Sequence, residues 1–320
     1  MSKKVYRVNN SIIVILGPTA SGKSDLAVKL AKKHDGEIIS ADSRQVYKGL
    51  NIGTGKITKK EMRGVPHHLL DVADPKKRFT VAEYQKLARE KISEIFSRNH
   101  LPIICGGTGF YIQSIVDGTV LPDVPPNEKL REKLNKKTAG QLFQMLQTLD
   151  PVRAKNIDSK NPRRLVRAIE IAKDAEQTRK KRGTNAENFQ HNSASVPHSS
   201  ALLQIGIKTD NQILREKILI RLIARIKRGM IAEAKKLHKN GLSWKRMEEL
   251  GLEYRYLARY LQNKITREQM IERLSSEIWQ YVRRQKTWWR GDARIKWFSL
   301  SELNKIECKI KKFLKQKKTR

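Results

Sequence analysis

An α/β fold, in which a parallel sheet is flanked by helices and interrupted by a helical insertion, is predicted by three observations. Short β-type apolar runs at 11–16, 37–41, 101–105 and 202–207 alternate with helical patterns, the arrangement of strands joined by crossover helices. A glycine-rich loop joins the first run to the first helical pattern. Between the third and fourth runs, LPDVPP at 121–126 breaks the chain, and 127–175 then carries helical periodicity with almost no β signal. The expected division is 1–120 with 201–320 as an α/β core ending in helices, and 121–200 as a helical insertion. At 320 residues the chain is long enough for a sizeable core.

In the loop after the first strand, Gly17, Pro18, Thr19, Ala20, Ser21, Gly22, Lys23 and Ser24 fit the pattern G-x-x-x-x-G-K-[ST]. A strand before and a helix after are the setting in which this motif cradles phosphates, so the core is expected to be P-loop NTPase-like. Glycines let backbone N–H groups and the helix N-terminus point at the anion. Lys23 brings a positive charge and Ser24 a hydroxyl for Mg²⁺. The cradle alone leaves its ligand open, because ATP, another nucleoside triphosphate and an allylic pyrophosphate offer the same handle.

The second strand ends at Asp42, followed by SRQVY at 43–47 and NIGTGK at 51–56. Ligands of open parallel sheets bind beyond the carboxyl ends of the strands, which puts Asp42 beside the cradle. There it is a water-mediated Mg²⁺ ligand, a proton acceptor for an attacking amine, or the N-cap of a helix. The third strand ends in GGTG at 106–109, which makes Thr108 either a hydroxyl for the leaving phosphate or part of a tight glycine turn. His67 and His68 are adjacent on an extended chain, point to opposite sides and lack further His or Cys neighbours, so no zinc site is expected.

Residues 176–200 are rich in Asn, Ser, Gln and basic side chains and poor in large apolar ones, which predicts a mobile loop. A single long helix is expected from Asn211 to Ile231, because Leu214, Ile218, Arg221, Leu222 and Arg225 recur at spacings of three and four. More helix follows to about Trp289, with Gly241 and Gly251 as breaks.

Charge narrows the partners. The chain holds 67 Lys and Arg against 32 Asp and Glu, a net +35, and such a field attracts polyanions. Residues 201–320 alone contain 31 basic and 12 acidic side chains. Within them, 281–298 interleaves basic residues with Tyr281, Trp288, Trp289, Trp297 and Phe298, a mixture suited to RNA phosphates and unstacked bases; the tryptophans also suit the core of a terminal helix. Arg163, Arg164 and Arg167 form either a basic helical face for a phosphate backbone or a solvated face paired with Glu170 and Asp174. The lysine-rich tail from 309 onward either adds to the field or is a disordered solubilising segment. Cys105 and Cys308, the two cysteines, have no metal-site neighbours and suit a reducing compartment. No apolar run is long enough for a signal core or a membrane span. A soluble, cytoplasmic monomer without membrane association is expected.

Taken in order, 17–24, DSRQVY at 42–47, IGTGK at 52–56, VPHHL at 65–69, GGT at 106–108, RLVR at 164–167 and RQKTW at 284–288 resemble the motifs of the tRNA dimethylallyltransferases. The resemblance implies transfer of a dimethylallyl group from dimethylallyl pyrophosphate to N6 of the adenine 3′ of the anticodon, position 37 of tRNA. It implies that 17–24 grip the donor's pyrophosphate, with Mg²⁺ at Ser24, and that Asp42 is the base or orienting acceptor for the amine. Arg221 matches the arginine that helps stabilise the pyrophosphate. With Lys23 and Thr108, these two complete the implied catalytic set. The implied tRNA contacts are Asp42, Ser43, Arg44, Gln45, Thr108, Arg131, Arg163, Arg164, Leu165, Val166 and Arg167. Glu253 and Tyr254 stand where the family usually has Gly-Tyr. Two rivals explain less: a small-molecule P-loop kinase leaves the charge and the 42–56 stretch without a purpose, and an RNA-binding ATPase leaves Asp42 without one.

Overall fold

The structure is a computed structural model, and it describes residues 10–182, apart from 120 and 123, together with 200–315. The chain separates into two compact units, one from 1–119 and 193–320, the other from 120–192.

Among the described residues, the larger unit is built on six strands: β1 (Ser11–Leu16), β2 (Gly36–Ala41), β3 (His67–His68), β4 (Leu101–Gly106), β5 (Ala201–Ile207) and β6 (Ile295–Phe298). They form one parallel sheet in the order β3-β2-β4-β1-β5-β6. Every residue of the central β1 is buried, which accounts for its unbroken apolar run, since crossover helices cover both faces of a parallel sheet. The alternation of side chains divides the core. Ile12, Val14 and Leu16 face one layer, and Ile13 and Ile15 face the other.

Helices α1 (Lys23–His34), α2 (Lys59–Met62), α3 (Val81–Ser97) and α4 (Gly109–Val116) precede the insertion, which contributes α5 (Glu128–Leu134), α6 (Ala139–Leu149), α7 (Pro151–Asn156) and α8 (Pro162–Arg182). After β5 come α9 (Asn211–Lys227), α10 (Met230–Lys239), α11 (Trp244–Leu250), α12 (Leu252–Leu261) and α13 (Arg267–Trp289), and α14 (Leu303–Lys315) follows β6. Several starts are written in the sequence as capping boxes: Thr80 with Glu83, Thr138 with Gln141 and Thr266 with Gln269 exchange side-chain and backbone hydrogen bonds. Helices α3, α4, α9 and α13 share the Val14 face, whereas α1 and α14 share the Ile13 face.

Four expectations need correction. Strands β3 and β6 were absent from the predicted set; two and four residues are too few to show a period. The single helix from Asn211 to Ile231 is two, because Gly229 adopts a left-handed φ of 98° between α9 and α10. The polar stretch from 176 is helical as far as Arg182, since polar residues continue a helix already nucleated; 183–199 of that expected loop lie outside the described residues. Much of the lysine-rich tail is likewise helix, α14, whose Ile306 and Ile310 are buried against the sheet.

The insertion has its own core, in which Leu142, Leu146, Leu165, Val166 and Ile169 are buried. Beneath it lies Glu170, whose side chain is 1% exposed. Arg131 grips it with Nε and Nη2, both at 2.8 Å, Asn127 N–H donates at 2.9 Å, and Arg167 stands at 3.4 Å. Burial opposes the Glu170 charge, but the hydrogen bonds from Arg131 and Asn127 hold its carboxyl below the ordinary value.

Candidate active site

The site is organised by register. Leu16 pairs with Gly106 and with Gly206, and Ala41 pairs with Gly106, so β1, β2 and β4 end in one row. The loops that begin at Gly17, Asp42 and Gly107 therefore start side by side, at the edge where parallel sheets bind ligands.

The phosphate loop curls over the start of α1. Gly22, the residue before α1, has φ 84°, a conformation glycine adopts without strain, and the Leu300 side chain lies so close that a Cβ there would collide with it. Lys23 Nζ reaches the Pro18 carbonyl at 3.2 Å. Burial is the strongest influence on this ammonium and pulls its pKa below the ordinary lysine value. Arg221 acts in the same direction, while Cys105 and Asp42 oppose it. The Cys105 thiol, also buried in the pocket wall, is pushed up to about 11; it is neutral at physiological pH.

A cavity of about 400 Å³ opens from this loop. Gly22, Lys23, Ser24, Gln45, Lys217 and Arg221 line its polar part, and Ala27, Ile38, Ile57 and Leu70 its apolar part. Arg221, on α9, makes no ion pair among the described residues, and burial together with Arg225 lowers its pKa. Arg225, one turn on, is committed instead: its Nη1 donates to Gly53 O at 2.6 Å and pairs with Glu253 at 2.9 Å. Glu253 thus has a structural partner at the position where the resembled family usually has glycine.

Asp42 caps a turn and not a helix. Its Oδ1 accepts the Arg44 N–H at 2.8 Å and the Gln45 N–H at 3.3 Å. The Ser43 N–H donates to Thr108 Oγ1 at 2.9 Å. Tyr281 of α13 meets the Thr108 hydroxyl as well; burial is the main cause that raises this phenol to about 12, and Asp42 adds to it. The neighbouring 51–53 loop is held by Glu233, whose carboxylate accepts N–H groups from Asn51, Ile52 and Gly53 at 3.0, 2.7 and 2.9 Å and the Tyr254 hydroxyl at 2.8 Å.

The structure brings Lys23, Ser24, Asp42, Gln45, Thr108 and Arg221 to this one edge. Arg131, Arg163, Arg164, Leu165, Val166 and Arg167 belong to the insertion. Of these, Arg163 and Arg164 are exposed, Arg131 and Arg167 are committed to Glu170, and Arg167 also donates to Val124 O at 2.8 Å. Leu165 and Val166, expected among the RNA contacts, have core side chains, because they occupy the buried side of α8. His67 lines the cavity, with its Nδ1 bonded to Val65 O at 2.8 Å, and His68 Nε2 bonds Glu37 at 2.6 Å. Among the tryptophans, Trp289 is core, whereas Trp288 and Trp297 keep 43% and 37% exposure.

For Mg²⁺, the described residues hold no cluster of three His, Cys, Asp or Glu. The exposed Ser24 hydroxyl at the cavity wall fits a Mg²⁺ that takes most ligands from phosphate and water. Sequence reasoning missed Glu233; it placed Tyr281 in the aromatic and basic stretch and Gln285 in the 284–288 motif, without the contacts that they make here. Gln285 carries a legible signal, a polar residue in the apolar register Ile278, Val282, Gln285, Trp289; the loop-clamping role of Glu233 leaves none.

Fold and site together define a P-loop α/β protein whose phosphate cradle faces a carboxylate and a hydroxyl on adjoining strand ends. The family model described as IPP transferase matches residues 45–292. The chain is 43% identical to the tRNA dimethylallyltransferase 2 of Treponema denticola over 290 residues, 89% of this chain and 94% of that one. It is 34% identical to the full-length tRNA isopentenylpyrophosphate transferase of Bacillus halodurans, with a TM-score of 0.70 and coverage of 97% and 98%. A eukaryotic dimethylallyltransferase acting on tRNA, 24% identical, shares the fold at a TM-score of 0.71, over 92% of this chain and 75% of that one. The chain belongs to the IPP transferase family.

Proposed function

We propose that this protein moves a dimethylallyl group from dimethylallyl pyrophosphate to N6 of adenine 37 in tRNA, giving N6-(dimethylallyl)adenosine and pyrophosphate. The observation that carries the proposal is the register of the sheet: Leu16 and Ala41 both pair with Gly106, so the loop that ends in Lys23 and the loop that begins at Asp42 leave the same edge. A carboxylate beside a phosphate cradle suits an amine nucleophile and a pyrophosphate leaving group. The N6 lone pair forms a bond to the allylic carbon, the bond from that carbon to the pyrophosphate oxygen breaks, and the displaced N6 proton passes to Asp42. Charge that develops on the pyrophosphate is met by the backbone amides of 17–24, Lys23 and Arg221. The Thr108 hydroxyl, which accepts from Ser43, retains its own proton for substrate. Ser24 would hold Mg²⁺ together with donor oxygens, and the bound ion supplies further positive charge to the leaving group. The adenine must leave its stack to enter, with Asp42 to Gln45 and the exposed Arg163 and Arg164 as RNA contacts.

The family matches favour this transfer over a kinase or an RNA-binding ATPase. Among the described residues no helix is long and apolar enough to cross a membrane, and a cytoplasmic monomer is the proposed working form. The test is incubation of purified protein with Mg²⁺, labelled dimethylallyl pyrophosphate and tRNA. Label in tRNA is expected. Its absence, together with ATP-dependent phosphorylation of an acceptor, would overturn the proposal.

A further inference from the structure

One buried polar side chain outside this chemistry touches two of its loops. Gln285 lies on α13 and is 5% exposed. Its Oε1 accepts the Thr19 N–H at 2.9 Å, and its Nε2 donates to the Gly107 carbonyl at 2.8 Å. The first partner belongs to the phosphate cradle and the second to the turn that carries Thr108. The same face of α13 covers the rest of that turn: Tyr281 meets Thr108, and the Trp288 ring packs on Gly109. A Cβ at Gly107 would collide with the Gln285 amide, so a side chain there would have to displace it.

A buried amide that satisfies a donor from one loop and an acceptor from another resists a change in their spacing, because either loop that moves leaves a buried polar group unpaired. We infer, on the transferase reading above, that Gln285 is a positioning residue. It fixes the pyrophosphate cradle relative to the Thr108 turn, so that the donor carbon and the acceptor nitrogen meet in line. It carries no charge and lies outside the lining of the donor cavity. Its loss therefore slows the chemical step and leaves donor affinity in place.

Steady-state kinetics of Gln285→Leu and Gln285→Glu with dimethylallyl pyrophosphate and tRNA test this. For Gln285→Leu, kcat is expected to fall on the order of 10²-fold, the cost of misplacing reacting groups by about 1 Å, while KM for both substrates stays within about 3-fold. In Gln285→Glu the carboxylate still accepts from Thr19 but turns a charge toward the Gly107 carbonyl, and a protonated acid restores the missing donor. Burial raises such a carboxyl, so its kcat relative to the unmodified protein should climb as pH falls from about 8 to 6, while the ratio for Gln285→Leu stays flat. A merely structural role would not separate the two profiles. A Gln285→Leu kcat within about 3-fold of the unmodified protein, a loss carried by donor KM, or a flat Gln285→Glu ratio would each overturn the inference. If the leucine variant melts at the assay temperature, the glutamate profile decides. Failure of the unmodified protein to transfer would strike the transferase reading, whereas full transfer by both variants would strike only the role of Gln285.

Discussion

Ser43 donates its backbone N–H to the Thr108 hydroxyl at 2.9 Å, which, beside the Thr108 N–H that donates to Ala41 O at 3.0 Å, ties the loop after β2 to the loop after β4. The bond orients the threonine: with one lone pair engaged by Ser43, the hydroxyl proton is free to point toward Tyr281 or substrate. Asp42, the preceding residue, is held by the turn it caps. Acceptor and hydroxyl are thus fixed before any substrate arrives.

Asp42→Asn keeps the oxygen that caps the turn and removes the basicity. Transfer is expected to fall about 10²–10⁴-fold, the range of a general base, while tRNA affinity measured by filter binding changes little. Unaltered kcat would remove Asp42 from proton transfer.

Arg221 and Arg225 lie one turn apart on α9 yet should fail differently. Arg221→Gln is expected to cost about 10²–10³-fold in kcat, as for one charge-stabilising donor, with an unchanged melting temperature. Arg225→Gln leaves buried Glu253 without its partner, so the melting temperature should drop. Equal behaviour of the two variants would contradict the assignment.

tRNA binding should weaken steeply with salt, since each neutralised phosphate releases counterion. Arg163→Ala or Arg164→Ala should lower the log–log slope by about one and leave stability intact. Arg131→Ala should act through folding, at about 3–5 kcal/mol, because Glu170 remains buried with its main partner gone. Binding titrations at several salt concentrations and thermal melts separate these outcomes.

Glu37 gives the larger unit an acid limit. Burial opposes its charge, but hydrogen bonds from Arg98 at 2.8 Å and His68 at 2.6 Å outweigh it and lower the carboxyl below 4.5. A depressed folded pKa stabilises fully above the unfolded value, and this contribution is lost as pH falls from about 4.5 through the lowered folded value. Glu37→Gln should therefore reduce stability at neutral pH and flatten the acid limb of the melting curve. An acid limb identical to that of the unmodified protein would exclude this pair as its source.

The four long strands, the phosphate loop and the helical insertion were legible because each leaves a local signal: an apolar run, a glycine spacing or a 3.6-residue period. The placement of Asp42 and Thr108 at strand ends was legible for the same reason, since both follow closely on such runs. Glu233 was not. It acts on Asn51, about 180 residues away, and only tertiary packing joins them. The burial of Leu165 and Val166 was hidden for another reason, because a motif matched over four residues does not say which face of α8 is wet. Arg131 and Arg167 were visible as basic residues, but their commitment to Glu170 appears only in the packed insertion.

Strand β1 lies between β4 and β5, so that Ile13 pairs with Ile103 and with Leu203, and Leu300 roofs Gly22. During synthesis the phosphate loop therefore leaves the ribosome well before the strands that brace it, and long before the leucine above it. An apolar strand must wait, unpaired, for partners that arrive late, a delay that favours aggregation and makes loop closure slow. A nascent chain that stops short of β6 would carry the whole motif without the leucine that roofs it, so the segment made early is among the last parts of the enzyme to be finished.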